Sequence, residues 1–369
     1  MGVSVSYRGE TRLAFSWSEL TGAVGDSVTV LPVVVAVAVL TELSLAVMLL
    51  WFGVFQVVWG LYYGVPVSVE PMKALAALAI AGTLTAGEFL VAGLLAGAVL
   101  LALGLTGTLK RVEAYVGPPV IRGVQFGVAL VLLETGVRLG AADPRLAAAG
   151  VAVAAGALAV GARRSTGLVV LLAGAGVAVW TTGLPTPALP APEGLMLFGT
   201  GDLTANAAGG ALAQLGMTVG NAALATSLLL ADYFDRDVSA DDLSASMGAM
   251  NIVAVPLGAL PMCHGSGGVA GKYAFGARTA GANVILGLGY LAVALLAVEV
   301  VAAYPMAVLG VVLGLVALQL ARTSLRRAET GGYPLVVAVG AVGLLLNLGV
   351  AFLGGVAVHL VRRRLGRGA

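Results

Sequence analysis

Residues 65–73 read Val-Pro-Val-Ser-Val-Glu-Pro-Met-Lys, and residues 255–263 read Val-Pro-Leu-Gly-Ala-Leu-Pro-Met-Cys. The two stretches share Val-Pro and Pro-Met at the same spacing, 190 residues apart. Because proline and the residue before it disfavour helix, residues 65–69 and 255–259 are predicted to be extended. The apolar segments that follow, 70–84 and 263–275, are too short to cross a bilayer. We therefore predict two half-helices, each preceded by a strand-like stretch.

The composition requires a membrane. Of 369 residues, 59% are hydrophobic and only 10% are charged, against about 25% charged in soluble domains. The apolar residues form long blocks such as Val28–Val39 and Phe89–Thr106, whereas the strands of a membrane barrel would alternate. The chain is therefore predicted to be an all-α polytopic membrane protein.

The same composition excludes other classes of protein. One cysteine and two histidines cannot build a metal cluster, and no nucleophile stands out beside a base, so neither an enzyme nor a bound metal or cofactor is expected. A net charge of +2 is too small for a nucleic-acid-binding protein. Residues 1–16 lack the order of a cleaved signal peptide, so we expect a cytoplasmic leader and a retained first span.

Two more matches indicate that the chain repeats itself. Glu19 to Asp26 lines up with Gln214 to Asn221 at an offset of 195 residues. Pro118 to Gly127 lines up with Pro305 to Gly314 at an offset of 187. Three collinear matches with a slowly falling offset are expected of two homologous halves that differ by small deletions.

The basic residues test the number of spans. Breaks in the apolar blocks give segments at 17–40, 43–63, 70–84, 88–109, 117–138, 146–162, 166–182, 207–231, 240–257, 263–275, 279–300, 304–321 and 333–361. The positive-inside rule then places the basic loops and both termini in the cytoplasm, with Lys272 and Arg278 counted as one of those loops. This orientation requires the last segment to be two spans, separated near Leu346–Gly349, which gives about fourteen. Seven spans per half, an odd number, make the repeat inverted. The alternative is one long helix with its basic tail outside.

The motifs resemble those of the molybdate transporter family of plants and microbes, which is similar to the sulfate permease and nucleobase permease superfamily. The resemblance covers nearly the whole chain and is carried by Glu19-Leu-Thr-Gly-Ala-Val-Gly-Asp26, Pro66-Val-Ser-Val-Glu-Pro-Met-Lys73, Gln214 to Asn221 with Ala231-Asp-Tyr-Phe234, and Pro261-Met-Cys-His-Gly-Ser-Gly-Gly268 continuing to Phe275-Gly-Ala-Arg-Thr279. The chain departs from the family's pattern at Glu70, where glutamine is usual. It also has Lys272 and Ala274 where glutamine and arginine are usual.

The resemblance implies a seven-plus-seven inverted repeat, about fourteen segments including the two half-helices, with a core domain and a gate domain. The first repeat is expected over residues 17–185 (core 17–109, gate 110–185) and the second over 200–361 (core 200–300, gate 301–361). A basic cytoplasmic tail, 362–369, follows. The implied cargo is molybdate, and the departure at Glu70 bears on the preferred anion, because a carboxylate disfavours a dianion unless it is protonated or paired with Lys73.

The half-helices themselves predict where an anion binds. Two helix N-termini that meet near mid-membrane aim free N–H groups and positive dipole ends at one point. A tetrahedral dianion needs several such donors. The candidates are the backbone amides of Met72, Lys73, Cys263, His264, Gly265 and Ser266, the Ser266 hydroxyl and the Lys73 ammonium, with Gly265, Gly267 and Gly268 allowing close approach of the backbone.

Asp26 and Asn221 occupy matching positions of the repeat and are expected to flank the same site, together with Ser68 of the first motif. Each candidate also has a structural alternative. Lys73 could pair with Glu70, His264 could be a neutral ring bonded to the backbone, and Cys263 could be a small buried hydrophobe. Glu19, near the membrane surface, is expected to be solvated or to cap backbone groups.

Together with the resemblance, which implies molybdate as the cargo, these observations predict a secondary transporter for molybdate, or another tetrahedral oxyanion, in the cell membrane, working by alternating access. Import of a dianion against an inside-negative potential requires a coupling cation, H⁺ or Na⁺, with Glu70, Asp26 and His264 as proton-carrier candidates. A sulfate or nucleobase permease on the same fold and an ungated anion channel stay open as alternatives. The sequence also leaves room for a homodimer.

Overall fold

The computed structural model describes residues 3–7, 11–184, 186, 199–296, 300, 303–326, 328 and 332–365. Four strands lie in these residues: β1 (Val3–Tyr7), β2 (Thr11–Phe15), β3 (Val69–Pro71) and β4 (Met262–His264). The helices of the first half are α1 (Trp17–Leu40), α2 (Leu45–Tyr63), α3 (Lys73–Ile80), α4 (Ala86–Thr106), α5 (Leu109–Val116), α6 (Pro118–Ala142), α7 (Pro144–Ala159) and α8 (Thr166–Thr182). Those of the second half are α9 (Ala205–Met217), α10 (Ala225–Phe234), α11 (Ala240–Ala254), α12 (Ser266–Ala274), α13 (Gly281–Ala294), α14 (Met306–Arg326), α15 (Tyr333–Leu345) and α16 (Leu348–Leu365).

Local sequence explains where the helices begin, end and bend. The hydroxyl of Ser16 caps α1, and Thr85 forms a reciprocal capping box with Glu88 at the start of α4. Gly64 ends α2 in the left-handed conformation that glycine adopts without a steric penalty. Helix α1 bends by 44° between Val28 and Val30. Pro32 lacks the N–H that would bond the carbonyl of Val28, which accounts for the bend.

The long helices fit a multi-span membrane protein. Among the described residues, five continuous helical stretches are long and apolar enough to cross a bilayer: Leu45–Tyr63, Ala86–Thr106, Pro118–Ala142, Ala205–Phe234 and Met306–Arg326. The bent α1 makes a sixth if its two parts are one span. The predicted break in the last segment is confirmed, because α15 ends at Leu345 and α16 begins at Leu348.

Helices of the two halves pack against one another in exchanged pairs. Helix α1 packs on α12 while α3 packs on α9, and α2 packs on α13 while α4 packs on α11. A second group is built around α6, which packs against α14, α15 and α16 and also contacts α3 and α9 of the first group. The first group also contains β3 and β4, so it holds the short helices that the sequence singled out.

The extended stretches lie later in the chain than predicted. The predicted stretch 65–69 reaches β3 only at Val69, and 255–259 begins with a 3₁₀ turn, Val255–Leu257, instead of a strand. The side-chain amide of Asn251 explains the shift in the second half: it bonds both the N–H and the C=O of Met262, as a neighbouring strand would. With β3 on its other side, β4 therefore forms at 262–264.

Three further differences concern the polar parts of the chain. Residues of the expected leader form a β-hairpin, β1 with β2. Residues 110–116, expected to lie between the segments 88–109 and 117–138, belong to the amphipathic helix α5. Lys272 was counted as a cytoplasmic loop charge; that prediction is wrong, because Lys272 lies in α12 and is fully buried. The repeat boundary at 185 and residues 366–369 of the tail lie outside the described residues.

Candidate functional site

The site begins with two strands that belong to different halves of the chain. Strand β3 pairs antiparallel with β4, with Val69 opposite His264 and Pro71 opposite Met262. Each strand leads within two residues into a short helix, α3 at Lys73 and α12 at Ser266. Because the strands are antiparallel, the helices leave the pair in opposite directions. Their N-termini, with positive dipole ends, flank the strand pair.

A carboxylate already lies between these two N-termini. One oxygen of Glu70, the middle residue of β3, accepts a hydrogen bond of 2.5 Å from the backbone N–H of Gly268 in the first turn of α12. The other oxygen pairs with the ammonium of Lys73. Glu70 is 1% exposed, whereas the Lys73 side chain keeps 19% exposure. Lys73 therefore pairs with Glu70, which was one of the two roles considered for it from the sequence. The pair lies at the wall of a cavity.

The cavity has a volume of about 320 Å³. Predicted site residues line much of it: Glu70, Lys73, Asn221, Cys263, His264, Gly265, Ser266 and Gly267. The lining also contains polar residues that the prediction left out: Gln125, Gln214, Thr218, Tyr233, Gln319 and Thr323. The cavity thus combines one cation with several neutral donors, which is the donor set that an oxyanion requires.

Asn221 reaches the cavity from an irregular helix. Residues Thr218–Leu224 form a π-helical stretch between α9 and α10. Such stretches are rare and are found mostly at functional sites, because they turn side chains out of the regular helical register. The Ser266 hydroxyl lies 3.2 Å from the Asn221 side-chain oxygen, so α12 and this stretch meet at the cavity wall.

The start of α3 is capped from the other half of the chain. The side-chain oxygen of Gln214 accepts hydrogen bonds from the backbone N–H groups of Ala74 (2.9 Å) and Leu75 (3.4 Å). Met72, predicted to offer its amide to an anion, instead donates that N–H to the carbonyl of Pro261 at 2.8 Å. Its amide is used by the strand pair, and its residue is fully buried.

Asp26 and Ser68 lie behind the cavity, not on its wall. The Ser68 hydroxyl donates to one oxygen of Asp26 at 2.6 Å, and the amide of Gln56 donates to the other at 2.8 Å. The Lys272 ammonium is 3.1 Å from the same second oxygen. Asp26, Ser68 and Lys272 are all fully buried. This cluster packs directly beneath Gly268, where a Cβ atom would collide with Asp26 and Ser68.

The histidine and the cysteine have partners inside the protein. His264 Nδ1 lies 3.0 Å from the carbonyl of Ser68, which can only accept, so Nδ1 carries the proton. Nε2 lies 2.8 Å from the Ser246 hydroxyl. The structure therefore shows the alternative given above from the sequence, in which the His264 ring is bonded to the backbone. The Cys263 thiol lies 3.7 Å from the carbonyl of Pro71 and is buried.

Glu19 caps backbone N–H groups and is not solvated. It is 2% exposed, and one of its oxygens accepts from the backbone N–H groups of Arg278 and Thr279, each at 3.0 Å.

Among the described residues, no three His, Cys, Asp or Glu side chains come together in a way that could hold a metal ion.

The fold is similar to that of solved anion transporters. The transmembrane domain of a bicarbonate transporter, BicA, from a cyanobacterium superposes with a TM-score of 0.68 at 20% identity, covering 95% of this chain and 99% of that one. The murine Solute Carrier 26 family member A9 anion transporter, in the inward-facing state, gives a TM-score of 0.69 at 15% identity, covering 98% of this chain and 70% of that one. The chain is thus a multi-pass membrane protein with this fold.

Sequence comparison identifies relatives over most of the length. "Molybdate transporter 2" of Arabidopsis thaliana is 29% identical, covering 83% of this chain and 78% of the relative. "Molybdate transporter 1" of Chlamydomonas reinhardtii is 26% identical, covering 94% and 91%. The family described as "Molybdate transporter of MFS superfamily" matches residues 18–132 and again 206–320. The chain therefore belongs to the molybdate transporter family, whose members are transporters and not enzymes.

Proposed function

We propose that the protein carries molybdate, or a tetrahedral oxyanion of the same size and charge, across the cell membrane as a secondary active transporter. The observation that carries the proposal is the meeting of two short-helix N-termini at a polar cavity, with the Lys73 ammonium on its wall. Helix N-termini favour oxyanions through their free N–H groups and their dipoles. The family membership, and the relatives described as molybdate transporters, support molybdate as the substrate.

The proposed binding step is an exchange of anions. In the structure Glu70 holds the N–H of Gly268 and the Lys73 ammonium. An incoming dianion needs the same two donors, and it is repelled by the Glu70 charge. Binding therefore requires Glu70 to take up a proton or to swing away. Once the carboxylate has gone, Lys73, Ser266 and the first amides of α12 are available to the oxyanion.

The proposed architecture is a seven-plus-seven inverted repeat, with the core at 17–109 and 200–300 and the gate at 110–185 and 301–361. Two observations support it. The packing exchanges partners between the halves, α1 with α12 but α3 with α9, as a pseudo-two-fold axis produces. The same family description matches two segments that start 188 residues apart, at 18 and 206. We propose that the core moves against the gate, so that the cavity opens to each side in turn.

We further propose that both termini are cytoplasmic, following the basic loops and the tail that begins at residue 362, and that transport is coupled to a cation. A dianion entering against an inside-negative potential costs about 2.3 kcal/mol per charge for each 100 mV. Glu70 is the best placed of the proton-carrier candidates, because it contacts the groups that the anion needs. Asp26 and His264 are second-line candidates, since both are enclosed in protein hydrogen bonds. A homodimer is compatible with this scheme.

The deciding experiment is equilibrium binding to the purified protein of molybdate, tungstate, sulfate and uracil, with Lys73→Ala and Ser266→Ala as site variants. Saturable molybdate binding that both substitutions weaken supports the proposal. Binding of uracil without molybdate overturns it in favour of a nucleobase permease, for which Tyr233 is the aromatic residue on the cavity wall. Preference for sulfate would keep the site and change the cargo.

Transport is tested separately in sealed vesicles. A carrier saturates with substrate concentration and accumulates it only when an ion gradient is imposed. Uptake that never saturates, and that follows the voltage alone, would instead identify an ungated channel.

A further inference from the structure

The ammonium of Lys272 is enclosed by oxygen atoms from four separate parts of the chain. They are Val67 O at 2.7 Å, Asn283 Oδ1 at 2.8 Å, Gln56 Oε1 at 2.9 Å and Asp26 Oδ2 at 3.1 Å. We call these four atoms the oxygen cage. The cage joins α1, α2 and α13 with the segment before β3, and Lys272 enters it from α12. Lys272, Asp26, Gln56 and Asn283 are each 0% exposed.

The number of oxygens does not match what an ammonium group needs. Lysine has three N–H donors, so it can make three well-directed hydrogen bonds. The cage offers four oxygens within 3.1 Å. Oxygens that converge on one point from several directions, without regard to donor direction, are typical of sites for hard cations. One carboxylate among three neutral oxygens gives a net charge of −1, which suits a monovalent cation.

The cage is also held in place without the lysine. The amide nitrogen of Asn283 donates to Val67 O at 2.7 Å and to Gln56 Oε1 at 3.0 Å. The amide nitrogen of Gln56 donates to Asp26 Oδ2 at 2.8 Å and to Val69 O at 3.2 Å. These bonds fix both amides with their oxygens turned toward Lys272 Nζ. The cage is therefore preorganised by its own members, as ligand sets of bound ions are.

The cage adjoins the cavity in which we propose that the oxyanion binds. A Cβ atom at Gly268 would meet both Asp26, which belongs to the cage, and Glu70, which lines the cavity. Lys272 follows Gly268 by one helical turn of α12. A cation in the cage therefore lies close to Glu70, the carboxylate that the oxyanion would displace, and contributes positive charge beside the cavity.

We propose that the oxygen cage is a monovalent-cation site and that the Lys272 ammonium is the cation built into it. The protein then carries its own substitute for a free alkali ion, and its transport needs no Na⁺. Removal of the lysine charge converts the cage into a site for free Na⁺ or K⁺. The statement about transport rests on the proposed function, whereas the statement about the cage does not.

The test is thermal unfolding of the purified full chain in NaCl, KCl and choline chloride at equal ionic strength. Lys272→Ala removes the ammonium and leaves room for an ion with its water. We expect Na⁺ or K⁺ to raise the melting temperature of this variant saturably by about 3 °C or more over choline. The wild type and the double variant Lys272→Ala with Asp26→Asn should show no difference between the salts, since one holds its own cation and the other has lost the charge that attracts one.

Equal melting temperatures of Lys272→Ala in all three salts overturn the proposal. Lys272→Gln is a second variant for the case in which the alanine variant folds poorly, because its amide can still donate to the cage. It removes the positive charge that balances Asp26, so it should respond to the salts in the same way. Uptake by wild-type protein in vesicles gives an independent readout. A requirement of the wild type for Na⁺ also overturns the proposal, whereas absence of any uptake would count against the proposed function and leave the thermal result standing.

Discussion

Glu70 accepts a hydrogen bond from the backbone N–H of Gly268 at 2.5 Å, and this bond connects the strand of one half of the chain to the short helix of the other. The N-terminus of α12 is thus occupied by an anion that belongs to the protein. Any external oxyanion that uses the same amide competes with Glu70.

Glu70→Gln should bind molybdate more tightly than the wild type. The amide keeps the size of the side chain, removes the negative charge and leaves the Lys73 ammonium without an ionic partner. We expect a Kd about tenfold lower, equivalent to about 1.4 kcal/mol, measured by titration calorimetry. Glu134→Gln, on an exposed face of α6, is the matched control and should leave the Kd unchanged. An unchanged or weaker Kd in Glu70→Gln would show that the carboxylate does not compete with substrate.

Lys73→Ala should weaken molybdate binding by about 10- to 100-fold. A hydrogen bond to a charged group contributes about 1.5–3 kcal/mol, and Lys73 is the cation on the cavity wall. Lys73→Arg retains the charge and should recover part of the affinity. Lys110→Ala, an exposed lysine of α5, is the control for a general loss of positive charge. If both alanine variants bind equally well, Lys73 serves only to neutralise Glu70.

Gly268→Ala should destabilise the protein by about 1–3 kcal/mol, because an added Cβ collides with the side chains of Asp26, Ser68 and Glu70. Gly289→Ala is the matched control: it lies inside helix α13 with open space around its Cβ position. There the substitution should be neutral or stabilising by up to about 1 kcal/mol. Thermal unfolding in detergent compares the two. Similar melting temperatures for both variants would contradict the close packing of α12 on the Asp26 cluster.

Gln214→Leu should destabilise the start of α3. The substitution keeps the volume but leaves the N–H groups of Ala74 and Leu75 without their acceptor. Loss of a helix cap costs about 0.5–2 kcal/mol. Hydrogen exchange measured by mass spectrometry should show faster exchange in peptides that cover residues 73–80, while peptides from α13 stay protected. Unchanged exchange at α3 would mean that another group replaces the glutamine.

Much of the fold was accessible from the sequence because its signals are local. The proline-bearing repeat predicted both short helices, although it placed the extended stretches before them too early in the chain. The basic tail predicted the break between α15 and α16. The position of β4 was not accessible, since it depends on the amide of Asn251 acting in place of a strand. The π-helical stretch at Thr218–Leu224 has no composition that distinguishes it from the helix around it.

Some site residues were also predictable from local sequence, whereas others depend on contacts that only the fold creates. Glu70, Lys73 and Ser266 stood out because each places a charge or a hydroxyl next to a helix-starting Pro-Met motif. Gln125 and Gln319 were missed, although an amide within an apolar helix was a usable signal. Lys272 was misread because the positive-inside rule assigns a basic residue to a loop unless a buried acid is known to pair with it. The partner, Asp26, is about 250 residues away, and only the three-dimensional fold brings the two together.

The pairing of β3 with β4 sets an order for biosynthesis. Val69 meets His264, so the backbone groups of β3 have no strand partner until 195 more residues have been added. At about 5–20 residues per second, the ribosome takes roughly 10–40 s to supply them. During that interval an unpaired strand edge lies inside or beside the membrane, where unsatisfied backbone groups are costly. The cavity therefore cannot assemble until the second half of the chain has been made, and a chain truncated before residue 262 cannot form it.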